Sequence, residues 1–216
     1  MLDAERELIA DAARALARAG LVVGTAGNLS LRAGELVAVT ATGAVLASAS
    51  ADHVVVVDLD GALVAGDWEP TSELALHLGA YRRFGVGAVV HTHSPAATAL
   101  ACVLQELPVI HYGMLALGGS VRVAPYETFG TSELARLALD ALDGRRAALL
   151  ANHGAIAVGD DLGAAVDNAL LLEWGSDLYA RAAAVGEPRA LTEVQVAAHE
   201  SALAARAYGP LSRAAR

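Results

Sequence analysis

Three histidines in this sequence have the residue type and the spacing of metal ligands. His91 and His93 follow the apolar run at residues 86–90, and side chains two apart on a strand share one face, about 6.5–7 Å apart along the backbone. His153 follows a second apolar run, residues 148–151. A catalytic zinc needs three protein ligands and an open position. The pair alone also fits two ordinary polar residues at a strand end, but a neighbouring strand end carrying His153 would complete a zinc site.

Glu73 is the acidic residue that we test next beside such a metal. It follows Thr71 and Ser72 at the predicted start of a helix, where the positive end of the helix dipole stabilises a carboxylate. A carboxylate near zinc can act as a general base at a carbon next to a polarised carbonyl. The spacing equally fits a glutamate that only stabilises the helix start, so both interpretations stay open.

The other histidines carry weaker signals. His53 and His199 are interpreted as exposed residues at the ends of elements, and His77 as a helix residue outside the site. His111 is interpreted as structural.

Three short turns rich in small and hydroxyl side chains indicate an anion site. They are residues 24–28, 40–43 and 71–72, and each lies beside the end of a predicted element. Backbone N–H groups, hydroxyls and a helix N-terminus can hold a phosphate without a basic side chain. Each of these segments taken alone is more often only a turn.

The alternation of apolar and turn residues predicts a layered α/β domain. Helices are predicted over residues 3–19, 71–84, from 95 onwards, 131–144 and in two Ala-rich segments at the end of the chain. Strands are predicted over residues 29–32, 35–40, 53–58, 62–64, 86–93, 109–112, 121–124 and 147–152. Because these elements follow one another without long linkers or repeats, we expect a single domain, residues 1–216, with a mixed sheet.

Composition argues against several classes of partner. The net charge of -9 gives no attraction to the phosphates of nucleic acid or to an anionic membrane surface. Charges or glycines interrupt every apolar run before the roughly 20 residues that span a bilayer. One cysteine cannot form an internal disulfide, and the start of the chain lacks the pattern of a secretory signal. We therefore expect a cytoplasmic protein that binds neither nucleic acid nor membranes.

Seven short motifs follow one another along nearly the whole chain. They are Gly24-Thr25-Ala26-Gly27-Asn28-Leu29-Ser30, Thr42-Gly43, Thr71-Ser72-Glu73, Val90-His91-Thr92-His93-Ser94, Ile110-His111-Tyr112, Pro125-Tyr126-Glu127-Thr128-Phe129-Gly130-Thr131 and Asn152-His153-Gly154. No single motif is decisive, but the seven in this order resemble the class II aldolase/adducin superfamily. Within it, the sequence is similar to the aldolases that cleave ketose 1-phosphates such as L-fuculose 1-phosphate.

The resemblance implies a fold, an assembly and a metal site. The expected fold is a single-domain three-layer α/β/α structure with a largely antiparallel central sheet. It would assemble as a homotetramer with active sites at the subunit interfaces. One Zn²⁺ per subunit would be held by His91, His93 and His153. Glu73 would complete the metal site without substrate and act as the catalytic base when substrate is bound.

The resemblance also implies the residues that bind substrate. The phosphate of a small phosphorylated sugar would be held by Gly27, Asn28, Thr42, Gly43, Thr71 and Ser72. Tyr112 would reach a neighbouring subunit's site and act on the aldehyde, and Phe129 would help to place the three-carbon half. Tyr208 would be a mobile C-terminal tyrosine near the site. Family members commonly have Ser-Gly-Asn where this chain has Ala26-Gly27-Asn28, which removes one phosphate-facing hydroxyl.

The expected reaction is the reversible cleavage of a ketose 1-phosphate into dihydroxyacetone phosphate and an aldehyde, through a metal-stabilised enediolate. Three alternatives on the same scaffold stay open. A methylthioribulose-1-phosphate dehydratase would also use three histidines on zinc. Pentulose-5-phosphate 4-epimerases resemble the aldolases but have Asp where this chain has Glu73. Adducin-like binding modules lack the metal histidines.

Overall fold

The computed structural model describes residues 1–205 and has one sheet between two layers of helices. The strands are β1 (Asn28–Ala33), β2 (Leu36–Thr40), β3 (Val54–Asp58), β4 (Leu63–Ala65), β5 (Ala88–Thr92), β6 (Glu106–Leu107), β7 (Val121–Ala124), β8 (Ala147–Leu150) and β9 (Gly154–Gly159). The α-helices are α1 (Asp3–Arg18), α2 (Leu74–Phe84), α3 (Pro95–Ala101), α4 (Ser132–Leu142), α5 (Leu162–Val185) and α6 (Glu193–Ala204).

The strands lie in the order β4-β3-β2-β1-β5-β9-β8-β7-β6. Within residues 1–205, β7 and β8 pair in parallel, and the other neighbouring strands pair antiparallel. The sheet is therefore mixed, as the pattern of elements predicted, with antiparallel pairs in the majority.

Two apolar clusters cover the two faces of the sheet and make the three-layer arrangement. On one face, Ile9 of α1, Leu100 of α3 and Leu172 of α5 pack against the sheet. On the other face, Leu76 of α2 and Leu142 of α4 do the same. Because α2 covers the face that β1 and β5 share, the residues at its start lie close to the ends of those two strands.

Two predictions about strands were incomplete or wrong. Residues 109–112 were predicted as the partner of β7, but β7 pairs with β6 instead, and Tyr112–Leu117 forms a 3-10 helix. The His111 side chain accepts a hydrogen bond from the Gly113 N–H and starts that helix, a local cap that competes with strand formation. The strand β9 was missed, because its small residues follow β8 without a strong turn signal.

None of the helices in residues 1–205 is both long enough and apolar enough to cross a bilayer.

Candidate active site

The order of the central strands brings three histidines to one end of the sheet. His91 lies in β5, His93 follows it, and His153 lies in the turn between β8 and β9. Because β9 runs antiparallel to both β5 and β8, the C-terminal end of β5 lies beside that turn. The ring centroids are 4.8–5.0 Å apart, and one ligand atom from each ring lies within 4.8 Å of the others. The three imidazoles therefore converge on one point.

Two backbone features hold the turn that carries His153. Asn152 adopts a left-handed conformation with φ 55°, which asparagine tolerates better than most residues. Gly154 lies so close to β5 that a Cβ atom there would be 2.3 Å from the Thr92 carbonyl oxygen and 3.2 Å from His93 Cδ2. A residue without a side chain is thus required where the two strand ends meet.

The orientation of His91 suits a metal ligand. Its Nδ1 lies 2.9 Å from the Ala155 carbonyl oxygen, so Nδ1 carries the proton and Nε2 keeps a free lone pair. Nε2 faces His93 Nε2 at 3.0 Å. A hydrogen bond from the second ring nitrogen to a backbone carbonyl is the usual way in which a metal-ligating histidine is oriented.

Glu73 is the residue just before α2, and its buried carboxylate faces the imidazoles. Its Oε2 lies 3.1 Å from His91 Nε2, and its Oε1 lies 3.4 Å from His153 Nε2. Within the described residues Oε1 has no hydrogen-bond partner although it is buried. An unpartnered carboxylate oxygen beside three imidazole nitrogens is a donor set that a cation would satisfy.

The protonation states also fit a cation site. Burial raises the pKa of Glu73, but the opposite effects of His91, Asn28 and His153 outweigh burial and hold that pKa far below its usual value. Burial and the neighbouring His91 and His153 lower the pKa of His93 to about 4, and burial followed by His91 lowers the pKa of His153. At neutral pH the carboxylate is therefore ionised and these two imidazoles are neutral, which are the states that bind metals. Three nitrogen donors and one carboxylate suit Zn²⁺.

A cavity of about 280 Å³ opens beside this cluster. Its lining includes all six residues predicted to hold phosphate, namely Gly27, Asn28, Thr42, Gly43, Thr71 and Ser72, together with Glu73, His93, His153 and Phe129. Gly27 has φ 98°, and a Cβ atom there would be 2.9 Å from the His91 carbonyl oxygen. The first small-residue turn therefore lies directly against β5. The cavity joins the candidate phosphate turns to the histidine cluster.

The aromatic residues predicted for the site have different positions. Phe129 lines the cavity and is 66% exposed. Tyr112 is 58% exposed and is not among the residues that line the cavity. It stacks on His111 with the ring centroids 4.4 Å apart and lies near His199 of α6. Tyr208 lies outside the described residues.

Several residues near the site were missed or misread from the sequence. Glu127 and Asn152 line the cavity although only their motifs were noted. His77, interpreted as lying outside the site, is fully buried and bonds to Asn28. Its position four residues after Glu73, on a helix face that is otherwise apolar, is the signal that would have drawn attention to it.

Comparison with known proteins supports one family along most of the chain. The family model for the Class II Aldolase and Adducin N-terminal domain matches residues 7–180. A solved structure of L-fuculose 1-phosphate aldolase superposes with a TM-score of 0.90 at 34% sequence identity, covering 94% of this chain and 98% of that one.

Three relatives of known name are similar over most of their length. A 5-deoxy-D-ribulose 1-phosphate aldolase from Bacillus thuringiensis is 40% identical, covering 89% of this chain and 92% of the relative. A 5-methylthioribulose-1-phosphate/5-deoxyribulose-1-phosphate aldolase from Rhodospirillum rubrum is 43% identical, covering 86% and 85%. An L-fuculose phosphate aldolase from Escherichia coli K12 is 38% identical, covering 83% and 84%.

Proposed function

Because the chain belongs to the class II aldolase and adducin family, we propose that it is a metal-dependent aldehyde-lyase acting on a 5-deoxypentulose 1-phosphate. The substrate would carry hydrogen or a methylthio group on its fifth carbon, and cleavage would release dihydroxyacetone phosphate and a short aldehyde. This substrate replaces the L-fuculose 1-phosphate-like substrate that the sequence led us to expect. It is supported by the substrates in the names of the two relatives that are 40% and 43% identical.

One observation carries the proposal of a lyase. The Glu73 carboxylate and the imidazoles of His91 and His153 meet at 3.1 and 3.4 Å, at the wall of a cavity that is also lined by the phosphate-type turns. Such an arrangement would give a base, a cation site and an anion site around one cavity.

The metal would replace a lysine in this chemistry. The sequence contains fifteen arginines and no lysine, so the chain as given cannot form the Schiff base that activates the carbonyl in lysine-dependent aldolases. A Zn²⁺ on His91, His93 and His153 would instead act as a Lewis acid on the substrate carbonyl.

The residues of the chain would bind the substrate and move its protons. The six turn residues, Gly27, Asn28, Thr42, Gly43, Thr71 and Ser72, would hold the phosphate with hydroxyls, an amide and backbone N–H groups. In cleavage, a base removes the proton of the fourth carbon's hydroxyl, the bond between the third and fourth carbons breaks, and its electrons stay on the third carbon. Glu73, after taking up a proton from water, would pass that proton to the third carbon, and the proton removed from the hydroxyl would leave to water through the base. In synthesis the Glu73 carboxylate would remove the proton from the third carbon.

Tyr112 would act on the aldehyde oxygen in the site of a neighbouring subunit. In cleavage its phenolate form would accept the proton of the fourth carbon's hydroxyl, and in synthesis the resulting hydroxyl would return that proton to the aldehyde oxygen. This role is supported by the exposed position of Tyr112 outside the cavity of its own chain. Phe129 would help to place the three-carbon half, Tyr208 would lie near the site, and the enzyme would work as a homotetramer.

A substrate panel tests the proposal. Release of dihydroxyacetone phosphate is measured from 5-deoxy-D-ribulose 1-phosphate, 5-methylthio-D-ribulose 1-phosphate and L-fuculose 1-phosphate, before and after zinc removal with a chelator. We expect the largest kcat/KM for one of the two 5-substituted pentulose phosphates, and loss of activity with the chelator that added Zn²⁺ restores. Equal or higher kcat/KM for L-fuculose 1-phosphate would reject the narrower substrate, and no release from any of the three would reject the aldolase.

The same panel, extended by L-ribulose 5-phosphate and by a measurement of zinc binding, separates the alternatives that the sequence left open. Loss of water from 5-methylthio-D-ribulose 1-phosphate without release of dihydroxyacetone phosphate would identify a dehydratase. Conversion of L-ribulose 5-phosphate to its 4-epimer would identify an epimerase. Failure to bind zinc at all would favour an adducin-like binding module.

A further inference from the structure

Five buried polar side chains form one hydrogen-bonded chain beneath the site. Asn28 Nδ2 donates to Glu73 Oε2 at 2.9 Å, and Asn28 Oδ1 lies 2.5 Å from His77 Nε2. His77 Nδ1 lies 2.6 Å from Ser30 Oγ, and that oxygen lies 2.5 Å from the Tyr81 hydroxyl. Ser30 and His77 are fully buried, and Tyr81 is 1% exposed. The inner end of this hydrogen-bonded network, at Ser30 and Tyr81, is therefore closed to water.

Two facing elements, β1 and α2, supply the side chains of this hydrogen-bonded network. Asn28 and Ser30 are two apart on β1 and point to the same face of the sheet. His77 and Tyr81 are four apart on α2, so they lie on the side of that helix that covers β1. Glu73 lies four residues before His77, directly before the helix. The register of β1 against β5 pairs Asn28 with His91. This pairing brings the Asn28 and Glu73 end of the hydrogen-bonded network to the histidine cluster.

One assignment of the protons satisfies every member of the chain. Glu73 is ionised and accepts only, so Asn28 must turn its Nδ2 towards it and its Oδ1 towards His77. The Asn28 Oδ1 then accepts from His77, which places the ring proton on Nε2. Since burial and the neighbouring His91 lower the pKa of His77 to about 3, the His77 ring is neutral and its Nδ1 accepts from the Ser30 hydroxyl. The Ser30 oxygen in turn accepts from the Tyr81 hydroxyl.

We infer that His77 is a positioning residue, which turns the Asn28 amide so that its N–H group holds the Glu73 carboxylate against the three imidazoles. The inference rests on the proposed function for the role of Glu73 as base. The orientation of Asn28 itself does not depend on that role. Without the His77 N–H, only Glu73 would hold the Asn28 amide in this network, and the Asn28 oxygen would lose its buried donor. The amide could then tilt and hold the carboxylate less firmly against the imidazoles.

The position of the network beside the cavity indicates that it does more than supply hydrogen-bond partners to buried polar groups. A buried histidine needs only two partners to be tolerated, and Ser30 and Asn28 supply them. Asn28 also lines the cavity, and its remaining N–H can face a substrate phosphate while the first holds Glu73. A single amide thereby fixes the spacing between the base and the anion site, and His77 sets which way that amide points.

The ring proton of His77 is tested directly in zinc-free protein. Long-range ¹H–¹⁵N NMR of the imidazole rings distinguishes protonated from unprotonated ring nitrogens, and the His77→Gln variant identifies the His77 signals. We expect a neutral ring with the proton on Nε2 at neutral pH. A proton on Nδ1 would turn the Asn28 amide the other way and overturn the inference. This measurement needs neither metal nor substrate, so it stands even if the proposed activity fails.

The consequence for catalysis is tested with matched substitutions. His77→Leu removes the N–H donor, whereas His77→Gln keeps a donor and an acceptor at similar positions. We expect His77→Leu to lower kcat for proton exchange on dihydroxyacetone phosphate about tenfold. We expect KM and zinc content to stay within about twofold of the unchanged enzyme, and His77→Gln to recover most of the rate.

The control is the half-buried His53, whose side chain hydrogen-bonds only to Ser50 within residues 1–205. His53→Leu should leave kcat unchanged. An unchanged kcat in His77→Leu, or equal losses in His77→Leu and His77→Gln, would overturn the positioning role. If His77→Leu does not fold, the NMR measurement on the unchanged chain decides the inference.

Discussion

At the scale of single residues, the proposed chemistry centres on Glu73. Its carboxylate is buried, has one oxygen without a partner in the described residues and lies within 3.4 Å of two imidazole nitrogens. The surroundings keep it ionised against the effect of burial. A carboxylate in this state can either complete a metal site or take a proton from a substrate, and replacing it by an amide separates the two.

The Glu73→Gln substitution should keep the metal but stop proton transfer. Three histidines still bind zinc, whereas a neutral amide cannot take a proton from carbon. We expect about one zinc per subunit. The rate of hydrogen exchange on dihydroxyacetone phosphate, measured by NMR in deuterated water, should fall by a factor of roughly 10²–10⁴. Glu127→Gln, which changes another acid of the cavity wall, should lose less than about tenfold. Exchange at the original rate in Glu73→Gln would remove Glu73 from this role.

At the scale of elements, the site depends on how closely β5 and β9 approach. Gly154 begins β9, and an added Cβ atom there would overlap the Thr92 carbonyl oxygen. The backbone cannot yield without moving His93 or His153, which lie on either side of the contact. Backbone spacing at this one residue therefore controls the geometry of the histidine cluster.

The Gly154→Ala substitution should weaken both the fold and the metal site. Overpacking of this kind costs about 1–3 kcal/mol, and we expect a lower free energy of unfolding together with weaker zinc binding in competition with a chelator. Gly186→Ala is the matched control, because no atom lies within 4 Å of the Cβ position there. Zinc affinity as high in Gly154→Ala as in Gly186→Ala would show that the contact does not control the site.

The burial of His77 in α2 also predicts how stability depends on pH. Its pKa is lowered to about 3 by burial and by His91, while a histidine in the unfolded chain titrates near 6.5. Below about pH 6.5 His77 is therefore protonated in the unfolded chain but stays neutral in the folded chain until the pH approaches 3. The contribution of His77 is fully present above that pH and is lost as the pH falls towards 3, at up to ~1.4 kcal/mol per pH unit.

His77→Gln should make the zinc-free protein less sensitive to acid. Urea unfolding at a fixed protein concentration, between about pH 6.5 and pH 4, should give a shallower decrease of the unfolding free energy than in the unchanged chain. His53→Gln provides the comparison at a half-buried histidine. If the slope of His77→Gln equals that of the unchanged chain, the buried histidine is not the group responsible.

At the scale of the whole molecule, several large aromatic side chains are exposed. Tyr112 and Trp174 are exposed and both contact His111, and Phe129 stands exposed at the cavity. Exposed aromatic residues of this kind are enriched in protein interfaces. The proposed homotetramer would cover this surface and bring Tyr112 to a second chain's cavity.

Mixed oligomers test whether Tyr112 acts between subunits. Tyr112→Phe and Glu73→Gln should each be nearly inactive alone. Subunits mixed in equal amounts by unfolding and refolding should recover about a quarter of the original activity, because that fraction of interfaces pairs an intact Glu73 with an intact Tyr112. Size-exclusion chromatography with light scattering gives the number of subunits. No recovery from a mixture that has reassembled would place Tyr112 in its own subunit's site.

Much of the site could be predicted from the sequence because its signals are local. The His91 and His93 pair, the hydroxyl turns and the position of Glu73 before a helix depend on residue type and short spacing. The structure brings the histidines together, and it places His93, Glu73 and the hydroxyl turns around one cavity. The helix that begins at Pro95 and the Thr131 cap of α4 were confirmed for the same reason. The roles of these residues in metal and phosphate binding stay predictions.

Only the tertiary structure decided how the parts meet. The strand β9 lies between β5 and β8 and so places His153 beside the other two histidines. No local sequence pattern predicted this strand. The chain from Tyr81 through Ser30, His77 and Asn28 to Glu73 joins residues that are up to 51 positions apart. Residue types and local spacing therefore determined which groups could do chemistry. The register of β1 against β5 and the packing of α2 decided which of them touch, because such contacts depend on side chains far apart in the chain.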